Sequence, residues 1–211
     1  MKALQILFFS VLIVISCNSP FTPKPRAYFK IDFPERAYQQ FSQAGFPYSF
    51  EYPVYGKISK DSTLFDESGD DAYWINIDFP EFRGKIYLSY KTIGGVSVYK
   101  VKKESGYKDS LVKNTFDGLK DEAFKMTFKH SLKASGILDS AFRTTNGISG
   151  VYFTVEGNAA TSKQFFVSDS SKHFLRGALY FDTAPNSDSL STVNNFLEAD
   201  MRHLISTLRW K

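Results

Sequence analysis

Ser171-Lys172-His173-Phe174-Leu175-Arg176-Gly177-Ala178-Leu179-Tyr180-Phe181 is the stretch on which the fold turns. Side chains alternate along an extended chain, so Phe174, Ala178 and Tyr180 face one way while Leu175, Leu179 and Phe181 face the other. Apolar residues on both sides predict a central strand with both faces of its sheet covered. The rest of the chain must therefore supply neighbouring strands and a cover for each face.

Outward from that run, strands are expected at Tyr48-Ser49-Phe50-Glu51-Tyr52, which Pro53 ends, and at 73–79 and 85–90. The link Pro80-Glu81-Phe82-Arg83-Gly84 between the last two has the residues of a hairpin turn. Further strands are read at 150–155 and 164–168. Two helices complete the set. In the second, Leu190, Val193, Leu197, Met201, Leu204, Ile205 and Leu208 form one stripe at helical spacing. Asp188 or Ser189 can cap its start, and Asp200 is placed outside the stripe. The first helix is read roughly from Asp109 to Lys133, with Leu111, Leu119, Ala123 and Met126 on one side. The sum is a single α+β domain, a mostly antiparallel sheet packed by two main helices. The element order resembles the PsbP/Mog1-like sandwich, a likeness of pattern.

The amino terminus sets the compartment. Lys2 precedes an apolar run from Ala3 to Ile15 that is too short to span a bilayer, which takes roughly 20 apolar residues. It fits the apolar region of a secretory signal. Val14-Ile15-Ser16-Cys17 follows the lipobox pattern of bacterial lipoproteins, and Cys17 is the one cysteine of the chain. A thiol used once, there, reads as a lipid attachment point; the plainer alternative is an ordinary signal with an incidental cysteine. The expected organisation is a signal peptide at 1–16, a lipidated Cys17 with a Pro-rich tether at 17–27, and one domain at 28–211. Pro20, Pro23 and Pro25 make the tether extended and semi-rigid. Asn18 rather than Asp follows the cysteine, which leans towards the outer membrane, and no acidic cluster beside it points to the cell surface. A periplasm-facing domain is expected. With no second cysteine, the domain must be held by its core alone.

Composition permits this, with 21 Phe and 12 Tyr available for packing. The formal charge of +4 is mild and scattered, without the basic stripe that nucleic-acid binding shows, so no nucleic-acid partner is expected. His130, His173 and His203 stand in no metal-ligand spacing, and their alternative reading is a constellation with Asp and Ser assembled in space. No nucleophile elbow, phosphate-cradling loop or dinucleotide fingerprint occurs. Asp66-Glu67-Ser68-Gly69-Asp70-Asp71 lacks the alternating ligands of a calcium loop and reads as solvated. His173 and Arg176 fall on opposite faces of their strand. No catalytic residue, metal or cofactor is therefore assigned. Asp followed by Ser or Thr and a small or aliphatic residue recurs more often than composition alone gives. These triplets resemble the O-glycosylation signal of periplasmic Bacteroidetes proteins and make Ser62, Ser110, Ser140, Thr183 and Ser189 candidate sites. The alternative is turn and helix-cap chemistry.

Several long strings resemble the gliding motility lipoprotein GldD family. They include Phe21-Thr22-Pro23-Lys24-Pro25-Arg26-Ala27-Tyr28-Phe29-Lys30-Ile31-Asp32, Pro47-Tyr48-Ser49-Phe50-Glu51-Tyr52-Pro53-Val54-Tyr55, and Gly84-Lys85-Ile86-Tyr87-Leu88-Ser89-Tyr90-Lys91. Trp74-Ile75-Asn76-Ile77, Gly157-Asn158-Ala159-Ala160 and Gln164-Phe165-Phe166-Val167 belong with them, and the 171–181 run is the longest. The region from Gly94 to Lys108 matches least. The resemblance implies a non-enzymatic component of Bacteroidetes gliding and of the linked type IX secretion machinery, with other envelope proteins of that machinery as partners. The competing reading is a periplasmic domain that binds or hydrolyses a glycan or lipid in an aromatic cleft.

Overall fold

Seven antiparallel strands make the main sheet of this computed structural model, which describes residues 30–60, 72–103 and 106–211. In chain order the strands are β1 (Tyr38–Phe41), β2 (Tyr48–Pro53), β3 (Lys57–Ser59), β4 (Ile75–Phe79), β5 (Gly84–Thr92), β6 (Val96–Lys103), β7 (Gly106–Lys113), β8 (Ala134–Arg143), β9 (Ser149–Gly157), β10 (Thr161–Ser168), β11 (His173–Phe181) and β12 (Arg209–Trp210). Helix α1 spans Phe116–Phe128 and helix α2 spans Ser187–Thr207. The main sheet runs β3-β4-β5-β11-β10-β9-β8, so β11 is its middle strand. A small sheet, β1-β2-β12, and a separate β6-β7 hairpin complete the described set.

Strand β11 lies between β5 and β10 and has both faces buried. Its small residues explain how bulky neighbours close over it. Gly177 faces Phe165 across the β10 ladder, and a Cβ there would come within 2.2 Å of the Phe165 ring. One face of the sheet packs on α2 and the small sheet. Ile77, Ile86, Leu88, Phe165, Leu175 and Leu179 meet Leu197, Met201 and Leu204 in a continuous core, where each is at most 1% exposed. The other face carries a smaller cluster in which Leu119 and Ala123 of α1 sit on Phe153, Phe166 and Phe174. Phe166 and Phe174 stack with centroids 5.2 Å apart.

The β4–β5 link turns as its residues demand. Pro80–Phe82 forms one 3-10 turn, Arg83 takes a left-handed conformation (φ 49°), and Phe79 pairs with Gly84. Helix α2 keeps its expected stripe, but its cap is Asn186, whose side chain accepts from the backbone N–H groups of Asp188 and Ser189. Asp188 and Ser189 are therefore the capped residues and not the cap. Asp200 is also displaced from expectation. It lies three residues after Leu197 and four before Leu204, on the buried side of α2, and is 1% exposed.

The largest correction concerns 109–133. Helix α1 begins only after Thr115, whose extended backbone and side-chain hydrogen bond to the Gly118 N–H make it the N-cap. Residues 106–113 pair with β6 instead, and Leu111 is 73% exposed, far from the helical stripe assigned to it. Met126 keeps to the side of Leu119 and Ala123 but is 36% exposed, because it stands at a cavity beside the helix. Beyond α1 the chain makes a 3-10 turn at Lys129–Leu132 and enters β8, so His130 stands in that turn. Strand β8 was invisible to alternation because Leu138, Asp139, Ser140 and Ala141 are all exposed on a sheet edge.

Candidate functional site

The second face of the sheet is only partly roofed. Helix α1 covers β9, β10 and part of β11, and beside it a cavity of about 190 Å³ opens over β4, β5 and β11. Its apolar wall is built from Trp74, Leu119, Ala123, Met126 and Phe174; its polar residues are Asn76, Lys91, Glu122 and Arg176, with Tyr87 and Ser89 on the strand between. Tyr87 and Arg176 also line a shallow basin that continues along the sheet towards Arg83 and Asp182.

Register explains the polar floor. Asn76 pairs with Tyr87, Tyr87 with Ala178, and Ala178 with Gln164, so one straight row crosses four strands with an amide at each end. Arg176 stands in the adjacent row, opposite Ser89 and Phe166. The nitrogens of both amides, Asn76 Nδ2 and Gln164 Nε2, are buried without a hydrogen-bond partner. Such groups are rare in folded proteins, because each retains a desolvation cost of about 1–3 kcal/mol.

Cations on this face differ in how they are neutralised. Lys91 meets the Glu122 carboxylate at 3.0 Å, and the Tyr99 hydroxyl donates to the same carboxylate at 2.9 Å. Burial depresses the Lys91 pKa, but Tyr99 and Glu122 outweigh it and leave the ammonium above its ordinary range. Lys85 pairs with Asp78 at 3.1 Å and Arg83 with Asp182 at 3.0 Å. Arg176 instead donates to the neutral Gln164 Oε1 and bonds the Tyr180 hydroxyl. No described carboxylate stands within ion-pair distance of it. Burial lowers its pKa, opposed by Tyr180 and Glu122.

A second feature lies next to the cavity. The β6-β7 hairpin is closed at its base, where Gly94 N–H donates to Asn114 C=O and Asn114 N–H to Gly95 C=O, and is joined to the body by Asn114 Nδ2, which donates to Thr92 C=O, and by Tyr99. Tyr99 belongs to the hairpin's inner face. The outer face presents Val96, Val98 and Leu111, which are 55%, 62% and 73% exposed. Val98 sits directly opposite Leu111, so the three form a contiguous apolar strip.

The histidines occupy separate places. His173 is buried, its Nδ1 sharing a hydrogen bond with the Tyr90 hydroxyl at 2.7 Å, and its ring stacks on Trp210. His203 Nε2 meets Glu51 at 2.7 Å while its ring stacks on Tyr38 at 3.5 Å. His130 approaches Tyr180 edge-on, and burial with the nearby Arg176 charge lowers its pKa. Among the described residues no cluster of His, Cys, Asp and Glu is placed to hold a metal ion. No described helix is long and apolar enough to cross a membrane.

Asp200 anchors a different polar group beneath α2. It accepts from Tyr38 at 3.0 Å and Tyr55 at 2.6 Å, with Arg36 Nε 3.5 Å away. Burial raises its pKa, against the lowering effect of the two tyrosines and Arg36. In turn, burial and the carboxylate push Tyr38 up to about 12. This arrangement joins the small sheet to the helix.

Of the candidate modification sites, Cys17 and Ser62 lie outside the described residues, as does the acidic segment 66–71. Ser110 is half-buried in β7; Ser140 is exposed on β8, Thr183 in the loop before α2 and Ser189 in its first turn. They share no surface element. Asn76, Lys91, Glu122 and Arg176 were not singled out as a group from the sequence. Their signal was faint: an arginine inside an otherwise apolar strand.

A family model described as gliding motility lipoprotein GldD matches residues 18–210. No curated protein matches the chain. Among solved structures, the solution structure of cyanobacterial PsbP (CyanoP) from Synechocystis sp. PCC 6803 is similar at 13% identity, with a TM-score of 0.46 over 92% of this chain and 100% of that one.

Proposed function

This chain belongs to the gliding motility lipoprotein GldD family, and from that premise we propose that it is a non-enzymatic scaffold of the gliding and type IX secretion machinery. Membership makes it a membrane-anchored envelope lipoprotein with a part in gliding. In the finer reading, residues 1–16 are removed, Cys17 carries the acyl chains, residues 17–27 form the tether, and 28–211 is one domain facing the periplasm from the outer membrane. A single acyl chain binds only reversibly, so a diacylated cysteine is what makes the attachment long-lived.

The observation that carries the scaffold reading is the apolar strip Val96, Val98 and Leu111. Exposed apolar surface on a protruding element is what a protein partner covers. The strip offers no polar chemistry for a reaction. Its partner is another envelope protein of the same machinery. One or more of Ser62, Ser110, Ser140, Thr183 and Ser189 is glycosylated in this reading, and the native intact mass then exceeds that of the bare lipidated polypeptide.

The test is a deletion strain scored for colony spreading and for secretion of an extracellular enzyme. Both are lost, and both return with the wild-type gene but not with Cys17→Ala. The wild-type protein takes up labelled palmitate and the Cys17→Ala protein does not. A deletion strain that spreads and secretes normally defeats the proposal.

A further inference from the structure

We propose that the cavity between α1 and strands β4, β5 and β11 binds a small monocarboxylic acid with a compact apolar body, its carboxylate held by the Arg176 guanidinium. The scaffold reading does not enter this inference. Three observations point the same way. Arg176 is the one cation of the second face whose described partners are neutral, Gln164 and Tyr180. A guanidinium has five N–H donors in a fork that matches a carboxylate. Those two partners leave donors to spare.

Secondly, the row beside Arg176 holds Asn76, which lines the same cavity, is 3% exposed and has an amide nitrogen with no partner. Glu122 is the one carboxylate among the lining residues, and it acts on Arg176 from beyond ion-pair distance. A ligand carboxylate gives the arginine a counter-charge; the Asn76 nitrogen is too deeply buried to meet it without a side-chain shift. Glu122 also lines the cavity, but Lys91 and Tyr99 already engage its carboxylate, so its repulsion of an incoming anion is offset.

Thirdly, size and lining select the body of the ligand. The cavity holds about 190 Å³ and its wall is Trp74, Leu119, Ala123, Met126 and Phe174. An apolar cavity of roughly 150 Å³ accommodates benzene. A single ring or a short branched chain therefore fills it. An inorganic phosphate would satisfy the arginine and leave the apolar wall unfilled.

The experiment uses the full lipidated chain in lipid nanodiscs, titrated with benzoate, benzyl alcohol and inorganic phosphate by calorimetry and by thermal midpoint. Benzoate binds saturably and raises the midpoint, benzyl alcohol binds at least ten-fold more weakly, and phosphate produces no saturable shift. Arg176→Gln weakens benzoate at least ten-fold. Met126→Trp, which leaves Arg176 intact and fills the space, does the same, and its ligand-free midpoint shows whether it is folded. Equal binding of benzoate and benzyl alcohol, tighter binding of phosphate, or no saturable binding of benzoate overturns the inference. Benzoate binding that survives both substitutions places the acid elsewhere and overturns it too.

Discussion

The two faces of the main sheet are built on the same strands, yet only one of them is fully roofed. Under α2 the buried charges are matched, Asp200 by Tyr38, Tyr55 and Arg36 and Lys163 by Glu198, and the atoms left without a partner are neutral, the Tyr152 hydroxyl and Trp210 Nε1. Under α1, a helix of 13 residues covers less ground than the 21 of α2; the uncovered strip holds Asn76, whose nitrogen has no partner, and Arg176, whose hydrogen-bond partners are neutral, while Gln164, the other orphaned amide, lies under α1 against Thr127. The difference separates two jobs. The α2 face holds the molecule together, whereas the α1 face and the adjoining hairpin carry unspent interactions.

If that division is right, substitutions under α2 cost the most. Leu197→Ala removes a side chain that is fully buried at the centre of the larger core, and about 2–5 kcal/mol of stability is lost in urea unfolding. Gly177→Ala brings a methyl against the buried Phe165 ring and costs about 1–3 kcal/mol. A loss below about 1 kcal/mol at both positions would contradict a rigid α2 face.

Asp200 gives the next effect. Asp200→Ala leaves two tyrosine hydroxyls and Arg36 short of a partner, and the expected loss is about 1–3 kcal/mol. Its pKa is raised by burial, so the native state holds the proton more tightly than the unfolded chain does. Its contribution is therefore greatest on the acid side of the carboxyl range and declines as pH rises through the folded pKa. Asp200→Asn removes that slope. The wild-type minus Asp200→Asn stability difference, followed by urea midpoints across the acid range, should fall with rising pH; a difference that rises reverses the sign and the cause.

On the α1 face the same kind of change should behave differently. Asn76→Leu replaces an amide whose buried nitrogen has no partner by an apolar group of similar size, and stability stays within about 0.5 kcal/mol or increases. A loss of about 2 kcal/mol would mean that the amide has a structural partner and that the two faces are alike. Smallest of all, Leu111→Asp on the hairpin shifts stability by less than about 0.5 kcal/mol, because the side chain is already in water. The spreading and secretion assay is where this variant fails.

Much of this division was legible in the residues. The two-sided apolar pattern of 173–181 predicted the middle strand with its bounds, and the 3.6-residue stripe of α2 predicted its buried side. What stayed hidden has physical causes. Strand β8 lies on an edge with 138–141 exposed, and in the β6-β7 hairpin Val96, Val98 and Leu111 are exposed apolar residues, so exposure does not follow the apolar–polar alternation that marks a strand. Leu111 falls in step with Leu119 and Ala123 by spacing alone, yet it is 73% exposed on a strand. The cavity depends on registry among β4, β5 and β11, which places Asn76 and Arg176 in one lining although they are far apart in the chain. Periodicity along one segment carries no information about its neighbour's register. Asp200 was misplaced for a related reason: a carboxylate on a helix is ordinarily solvated, and its partners Tyr38 and Tyr55 come from distant residues.

Site-specific photo-crosslinking in living cells tests the scaffold most directly. A photoreactive residue at Leu111 on the hairpin's outer face is compared with one at Ser191 on the exposed side of α2. The account predicts a discrete adduct from position 111, identified by mass as another envelope protein of the gliding and secretion machinery, and none from position 191. No adduct from position 111, or the same adducts from both, would contradict it.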